Sequence, residues 1–326
     1  MDFEIKILLI TFAISVICGI ITIPILKKMK IGQIERDDGP ASHLKKQGTP
    51  TMGGIIMIVA IIIATVGSCI YFSVNGKEEL VRKISPILIS TIAFGIIGFI
   101  DDFRKLVLKN TDGLKPKYKM LGLLIIAVMY ILFLVYGLKL GTDTYIPIFK
   151  IYINIPVFIY IPLAVIVILA TTNAINLTDG VDGLSSSVSC LIITCLTVIG
   201  ISQQMYEVSI FGSIIIGATL GFLIFNLHPA KVFMGDTGSL MLGGAISGLV
   251  LYLKMPLLLL LIAIIPVLEA LSDIIQVIYY KKTGKRVFKM APLHHHFELS
   301  GWKENKIVVV FSLVTLVACA IGLKII

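Results

Sequence analysis

Apolar residues run in long stretches along this chain, separated by short polar segments. Ten stretches come close to the roughly 20 residues that a spanning helix needs. They are 7–26, 53–73, 85–101, 119–138, 157–175, 185–201, 208–225, 237–253, 256–279 and 306–325. Glycines and hydroxyl residues interrupt the sixth to eighth. One segment follows a different pattern: between residues 142 and 156, Tyr145, Ile146, Ile148, Ile151, Tyr152 and Ile153 recur in the manner of a short hairpin outside the spans. The pattern predicts an all-α polytopic membrane protein of about ten transmembrane helices, forming a single domain over 1–326. No repeat, low-complexity tract or linker divides it.

Composition agrees. Of 326 residues, 57% are hydrophobic and 14% charged, against roughly 25% charged in soluble proteins. The net charge of +9 would hint at nucleic acid in a soluble protein. Here it points to loop residues that meet anionic lipid, with no nucleic-acid partner expected. Lysine and arginine crowd the loops after the first span (Lys27, Lys28, Lys30, Arg36, Lys45, Lys46), the third (Arg104, Lys105, Lys109, Lys115, Lys117, Lys119) and the ninth (Lys281, Lys282, Lys285, Arg286, Lys289). Basic loops stay in the cytoplasm, so both termini are expected on the other side. Cys18, Cys69, Cys190, Cys195 and Cys319 each sit alone in an apolar run and read as small buried hydrophobes. The first apolar run lacks a small-residue cleavage site and is long enough to span, so it reads as a retained helix.

The unusual polar clusters fall on the basic side. Acids near hydrocarbon are costly and are functional candidates by default. Asp101 and Asp102 end the third span. Adjacent helical residues point about 100° apart, so the two acids have different surroundings; a solvated helix end neutralised by Arg104 and Lys105 is the rival reading. Asn173, Asn176, Asp179 and Asp182 recur every third residue in a loop without lysine or arginine, which points to a nucleotide or a metal ion as their partner. Gly180 and Gly183 break the helix there. In the run from Asn226 to Ser239, Pro229 stops a helix, Gly235 frees the backbone, and Asp236 stands where the eighth span begins. A helix N-terminus offers N–H groups to phosphate, and an aspartate there can carry Mg²⁺ onto it. Phe233 is placed to stack on a base. Glu269, Asp273 and Gln276 form an i, i+4, i+7 stripe, for which pairing with a neighbouring helix is a serious rival. His294, His295 and His296 are consecutive in a basic loop; their side chains are expected to diverge, as phosphate donors more than as metal ligands.

Together these segments resemble the polyprenyl-phosphate N-acetylhexosamine-1-phosphate transferases. GFIDD, NAINLTDGVDGL and NLHPAKVFMGDTGS carry that resemblance, while SHLKKQGTPTMGG and MAPLHHHFELSGW resemble the muramoyl-pentapeptide branch. The resemblance covers essentially the whole chain. It implies a peptidoglycan-building transferase in the bacterial cytoplasmic membrane, with its site on the cytoplasmic side. The implied substrates are UDP-N-acetylmuramoyl-pentapeptide and undecaprenyl phosphate, with UMP as leaving group, Mg²⁺ as cofactor and a homodimer as the usual assembly. By motif position, Asp236 is the implied Mg²⁺ ligand, with Asp179 as a second candidate, and Asp101 and Asp102 are the essential acidic pair. Asn173, Asn176, Asp179, Asp182, Asn226 and Phe233 are implied around the uridine, with Gly235 also at the substrate. Lys46, Lys109, Lys117, Gln276 and the three histidines are implied around the ribose and phosphates. A related transferase using UDP-N-acetylglucosamine is the near alternative. An ion-coupled transporter is the distant one, disfavoured because the acids gather at helix ends and not at the bilayer midplane.

Overall fold

The computed structural model describes residues 2–29, 48–106, 108 and 113–326. Lys46 and Lys109 lie outside these residues. In chain order the elements are α1 (Asp2–Lys28), α2 (Gly54–Val74), α3 (Glu78–Leu106), α4 (Pro116–Leu132, continued by a π turn to Gly137), β1 (Asp143–Ile146), β2 (Ile151–Asn154), α5 (Val157–Thr178), α6 (Leu184–Ser202), α7 (Tyr206–Asn226), α8 (Gly235–Tyr252), α9 (Leu259–Ile262), α10 (Ile264–Thr283), α11 (Leu293–Glu298) and α12 (Glu304–Ile325). The protein is a polytopic, all-α membrane protein.

Among the described residues, eight helices, α1 to α7 and α12, are long and apolar enough to cross a membrane. The expected ninth span is broken: residues Pro256–Ile262 and Ile264–Thr283 meet at 84°. Ala263 leaves helical geometry there, and Pro266, with no N–H, cannot donate to the Ile262 carbonyl one turn back. The expected eighth span is α8. Its glycine, alanine and serine positions lower its hydropathy, but they let neighbouring helices approach closely, which is how helices associate where lipid is as apolar as leucine. Nearly every α8 residue from Thr237 to Tyr252 is buried. The helix is therefore the hub of the bundle, packed by α3 and α5 on its flanks. At the periphery, α1 turns Leu9, Ile10, Ile17, Ile20, Ile21 and Ile25 outward, and α10 turns out Leu271, Ile274, Ile275 and Ile278.

The expected hairpin is present. β1 and β2 pair antiparallel, with Tyr145 opposite Tyr152 and Ile146 opposite Ile151. It is tied to the end of α8: the Tyr145 N–H donates to the Lys254 carbonyl at 2.8 Å, and the Lys254 ammonium lies 2.5 Å from Asp143. At the opposite end of the bundle, α3, α5 and α7 finish while α4, α6, α8 and α12 begin. The polar clusters therefore meet at that end.

Candidate active site

The site is assembled by two close backbone approaches. Gly98 of α3 lies against the start of α8; a Cβ there would fall 2.0 Å from the Asp236 carbonyl oxygen. Gly235 begins α8 with φ +71, and a Cβ on it would meet Asp102 Oδ2 at 2.6 Å and Thr51 Oγ1 at 3.0 Å. No other residue type fits either place without moving α3 or α8. The entry to α2 is stitched to the same point. Gly53 and Gly54 N–H donate to the Phe233 and Met234 carbonyls at 2.8 and 2.9 Å, and Phe233 N–H donates to the Pro50 carbonyl at 2.8 Å.

Within this frame the two adjacent aspartates diverge. Asp102, buried, turns to α8 and caps it: Oδ1 accepts the Asp236 N–H at 3.1 Å, and Oδ2 accepts the Thr237 N–H at 2.9 Å and its hydroxyl at 2.6 Å. A capping carboxylate usually comes from the residue before its own helix; here it is delivered by another helix. Asp101, also buried, accepts the Leu114 N–H at 2.7 Å and lies 2.5 Å from the Lys105 ammonium. Asp236 meets the Lys119 ammonium at 2.7 Å and Lys105 at 3.3 Å, and its other oxygen accepts from the Asn176 amide at 2.8 Å. Asp101, Asp102 and Asp236 each place an oxygen within 4.8 Å of the others. An all-carboxylate oxygen set suits a hard divalent cation such as Mg²⁺.

The turn between α5 and α6 closes one side. Asp179, half-buried at the C-terminus of α5, lies beside the Gly235 backbone. Burial holds its carboxyl well above the ordinary range, and the nearby charges of Asp236, Asp102 and Asp182 push the same way. Asp182 turns to the loop before α8: its Oδ2 lies 3.1 Å from His228 Nδ1 and accepts the Ala230 N–H at 3.1 Å. His228 Nδ1 also lies 3.7 Å from Glu304 at the start of α12. Across from this turn stands α11. Buried Glu269 accepts the His294 N–H at 3.2 Å and lies 3.2 Å from His294 Nδ1.

Residues 84–254 match the model of the glycosyl transferase family 4. The chain is 50% identical, over 97% of its length and 94% of the relative's, to a phospho-N-acetylmuramoyl-pentapeptide-transferase of Clostridium botulinum (strain Alaska E43 / Type E3). It is 48% identical to a protein of that name from Clostridium acetobutylicum, over 96% of each chain. A third, from Halalkalibacterium halodurans, is 45% identical over 93% of this chain and 91% of its own. The chain belongs to the phospho-N-acetylmuramoyl-pentapeptide-transferase family.

The residues that the family resemblance singles out have distinct surroundings. Asp101, Asp102, Asp236, Asn176, Asp179 and Gly235 come together at the start of α8. Phe233 is half-buried one turn before Asp236. Asn173 donates to the Leu169 carbonyl of its own helix at 2.7 Å. Asn226 accepts from the Ser186 hydroxyl at 2.7 Å and donates to the Val232 carbonyl at 3.1 Å, bracing the loop that leads to Asp236. Asn173, Asn176 and Asp182 thus each have at least one partner within the protein. Gln276 holds the chain after α10: its oxygen accepts the Val287 and Phe288 N–H at 3.0 Å each, and its amide donates to the Phe288 carbonyl. Lys117 is exposed and sits 5.0 Å from the Tyr118 ring centroid, away from the acids. The three histidines do not all diverge. The rings of His294 and His295 are 4.1 Å apart, and His295 Nδ1 lies 2.8 Å from Glu298, while His296 accepts the Lys289 N–H at 3.1 Å.

Several residues of the site were not marked by the motifs. Lys105 stands i+4 from Asp101, on the same face of α3. That spacing was a usable signal for the ion pair, though not for its reach to Asp236. Lys119 was hidden among the other basic residues of its loop, and only the fold distinguishes it from Lys117. His228 and Glu304 are far apart in sequence, so nothing local pairs them.

Proposed function

We propose that the protein transfers phospho-N-acetylmuramoyl-pentapeptide from its UDP donor to undecaprenyl phosphate and releases UMP, at the cytoplasmic face of the bacterial membrane. The observation that carries this reading is the meeting of Asp101, Asp102 and Asp236 with Lys105 and Lys119 at the end of the bundle that bears most of the basic loops. A homodimer embedded in lipid is the proposed assembly.

Both reactants are anions, so the chemistry needs screening of charge more than a strong base. The lipid phosphate is a monoester whose second proton leaves near pH 6; it is already nucleophilic at neutral pH and needs to be aimed. Among the described residues, Lys105 and Lys119 are the ammonium groups within reach of the acids, and they bind the pyrophosphate of the donor and steady the charge that grows on departing UMP. Asp236 and Asp101 would hold Mg²⁺, which supplies Lewis-acid polarisation of the phosphoryl oxygens. Asp102 fixes the first turn of α8, and with it the direction of the Asp236 carboxylate. Phe233, half-buried beside Gly235, offers a ring face to the uracil. Direct attack by the lipid phosphate on the sugar-bearing phosphorus is the proposed route, with UMP as the leaving group.

The test is UMP release by purified protein with both substrates and Mg²⁺. Release that requires undecaprenyl phosphate, that stops with a chelator or with Asp236→Asn, and that falls away when UDP-N-acetylglucosamine replaces the donor supports the whole reading. UMP formed from donor alone, with phosphate trapped on an aspartate, overturns direct attack. Full activity of Asp236→Asn overturns the metal assignment.

A further inference from the structure

Glu269 lies in α10 and His294 in the first turn of α11, 25 residues apart in sequence. Both are among the most buried polar side chains of the protein, with Glu269 at 0% exposure and His294 at 1%. The two carboxylate oxygens face two donors of one residue: Oε1 the backbone N–H, and Oε2 the ring Nδ1. A carboxylate only accepts, so this arrangement puts the ring proton on Nδ1. The other nitrogen, Nε2, has no hydrogen-bond partner. It points into the turn between α5 and α6: a Cβ on Gly180 would stand 2.1 Å from it. Gly180 lies between Asp179, which stands beside the start of α8, and Asp182, which holds the loop before α8. A continuous line of contact therefore runs from α10 through one imidazole to the acids at the centre.

We infer that Glu269 is a positioning residue: it fixes the orientation and tautomer of His294, and through that ring it sets the turn carrying Asp179 and Asp182. The inference rests on the proposed transfer reaction for its kinetic consequence, but its structural content stands apart from it. A buried carboxylate between two helices that only joined them would have no reason to take both donors of one residue whose remaining nitrogen faces the site. Carboxylate partners of functional histidines act by this means, holding one tautomer against the other.

Glu269→Gln tests it. The amide keeps the size of the side chain and can still accept the backbone N–H. Its NH₂ group then faces Nδ1 and favours the tautomer with the proton on Nε2. The chain has five histidines, so ¹⁵N-histidine labelling gives a countable set of imidazole signals, with His294 assigned by its loss in His294→Asn. In the wild type the Nδ1-protonated form is expected, and in Glu269→Gln the Nε2-protonated form. The expected kinetic result is a kcat lowered roughly 10- to 100-fold, the range carried by outer partners of functional histidines, with KM for the UDP donor within about twofold. Elution volume should match the wild type, and thermal unfolding should be lowered by no more than the weakening of two charge-assisted hydrogen bonds to neutral ones accounts for. Glu269→Asp, which keeps a carboxylate, should retain the wild-type tautomer and part of the lost rate; it carries the same readouts if the glutamine variant does not fold. An unchanged tautomer, or a wild-type kcat, in the glutamine variant overturns the inference. Failure of the wild type to release UMP would instead overturn the reaction, while the labelled spectra still decide what Glu269 does to His294.

Discussion

Replacing Asp102 by asparagine separates a structural role from a chemical one. Three donors converge on this carboxylate: the Asp236 N–H at 3.1 Å, the Thr237 N–H at 2.9 Å and the Thr237 hydroxyl at 2.6 Å. Asparagine has one acceptor oxygen and one NH₂ group in the same space. If its oxygen stays with Thr237, its NH₂ faces the Asp236 N–H, donor against donor. Losing a hydrogen bond to a charged acceptor costs about 1.5–3 kcal/mol, and the two that remain become neutral ones of about half the strength. The expected loss is about 3 kcal/mol of stability, concentrated at the first turn of α8. That turn carries Asp236, and a displacement of about 1 Å at a reacting group costs on the order of 100-fold in rate. Asp102→Asn should therefore unfold earlier in detergent, by temperature or denaturant, and release UMP about 100-fold more slowly, the two losses appearing together. Asp101→Asn should lose less stability, because its partner Lys105 is 41% exposed and can turn to water. An Asp102→Asn protein that is inactive yet unfolds with the wild type would refute the capping argument and return Asp102 to the chemistry.

Four further outcomes can be checked with the same preparations. Lys119→Met, which removes an ammonium 2.7 Å from Asp236, should lower kcat at least about tenfold, whereas Lys117→Met, on an exposed residue, should stay within about twofold in initial-rate assays; equal losses would count against the assignment. Gly98→Ala forces a methyl to within 2.0 Å of the Asp236 carbonyl and should cost about 1–3 kcal/mol by overpacking, read as a lowered unfolding midpoint with weaker Mn²⁺ binding. Asp179 carries a carboxyl held well above its ordinary range by burial, so the folded protein binds this proton more tightly than the unfolded chain. The stabilisation is complete below the unfolded pKa of about 4 and is lost as pH rises through the raised folded value; in metal-free buffer Asp179→Asn should outlast the wild type by a margin that widens with pH, and a constant margin would sink the argument. Lys254→Met breaks the ion pair with the partly exposed Asp143 at the hairpin and should cost at most about 1 kcal/mol, with transfer activity unchanged.

What the chain made legible was set by distance along it. The spans were readable because apolar length is a local property, and the start of α8 at Asp236 was readable from Pro229, Gly235 and the polar run around them. The hairpin followed from alternation over a dozen residues. The break inside the ninth span was not anticipated, because Pro266 in an apolar run reads equally as a kink in one helix or as the first turn of a second. The exact membership of the acid cluster was also beyond local pattern. Lys117 and Lys119 differ only in which face of α4 they occupy once Pro116 has started that helix, and no feature of the loop itself orders them. The polar stripe from Asn173 to Asp182 illustrates a different limit. No lysine or arginine stands near it in sequence, and the partners it has within the protein include Leu169, Ser239, His228 and Ala230, which sequence proximity either hides or makes too ordinary to notice.

The three central acids do not stand in equivalent fields. Asp236 occupies the first turn of α8, where the helix macrodipole places about half a positive charge, and a carboxylate there is favourable. Asp101 and Asp102 occupy the last turns of α3, where the opposite end of the macrodipole disfavours them. They persist because each is given outside compensation: Asp102 by the N–H groups of α8, Asp101 by Lys105 and the Leu114 N–H. The C-terminus of α3 thus points into the N-terminus of α8, and Asp102 is the joint between them. Such a joint leaves Asp101 and Asp236 side by side with two ammonium groups bridging them. The two ammonium groups offset the charge of these two carboxylates, so the cluster is close to neutral before a ligand arrives. On the proposed reaction these acids would hold the divalent cation while the ammonium groups meet the donor phosphates, so the two bindings are expected to be coupled: donor affinity should rise when Mg²⁺ is added, and equal affinity with and without it would refute the coupling.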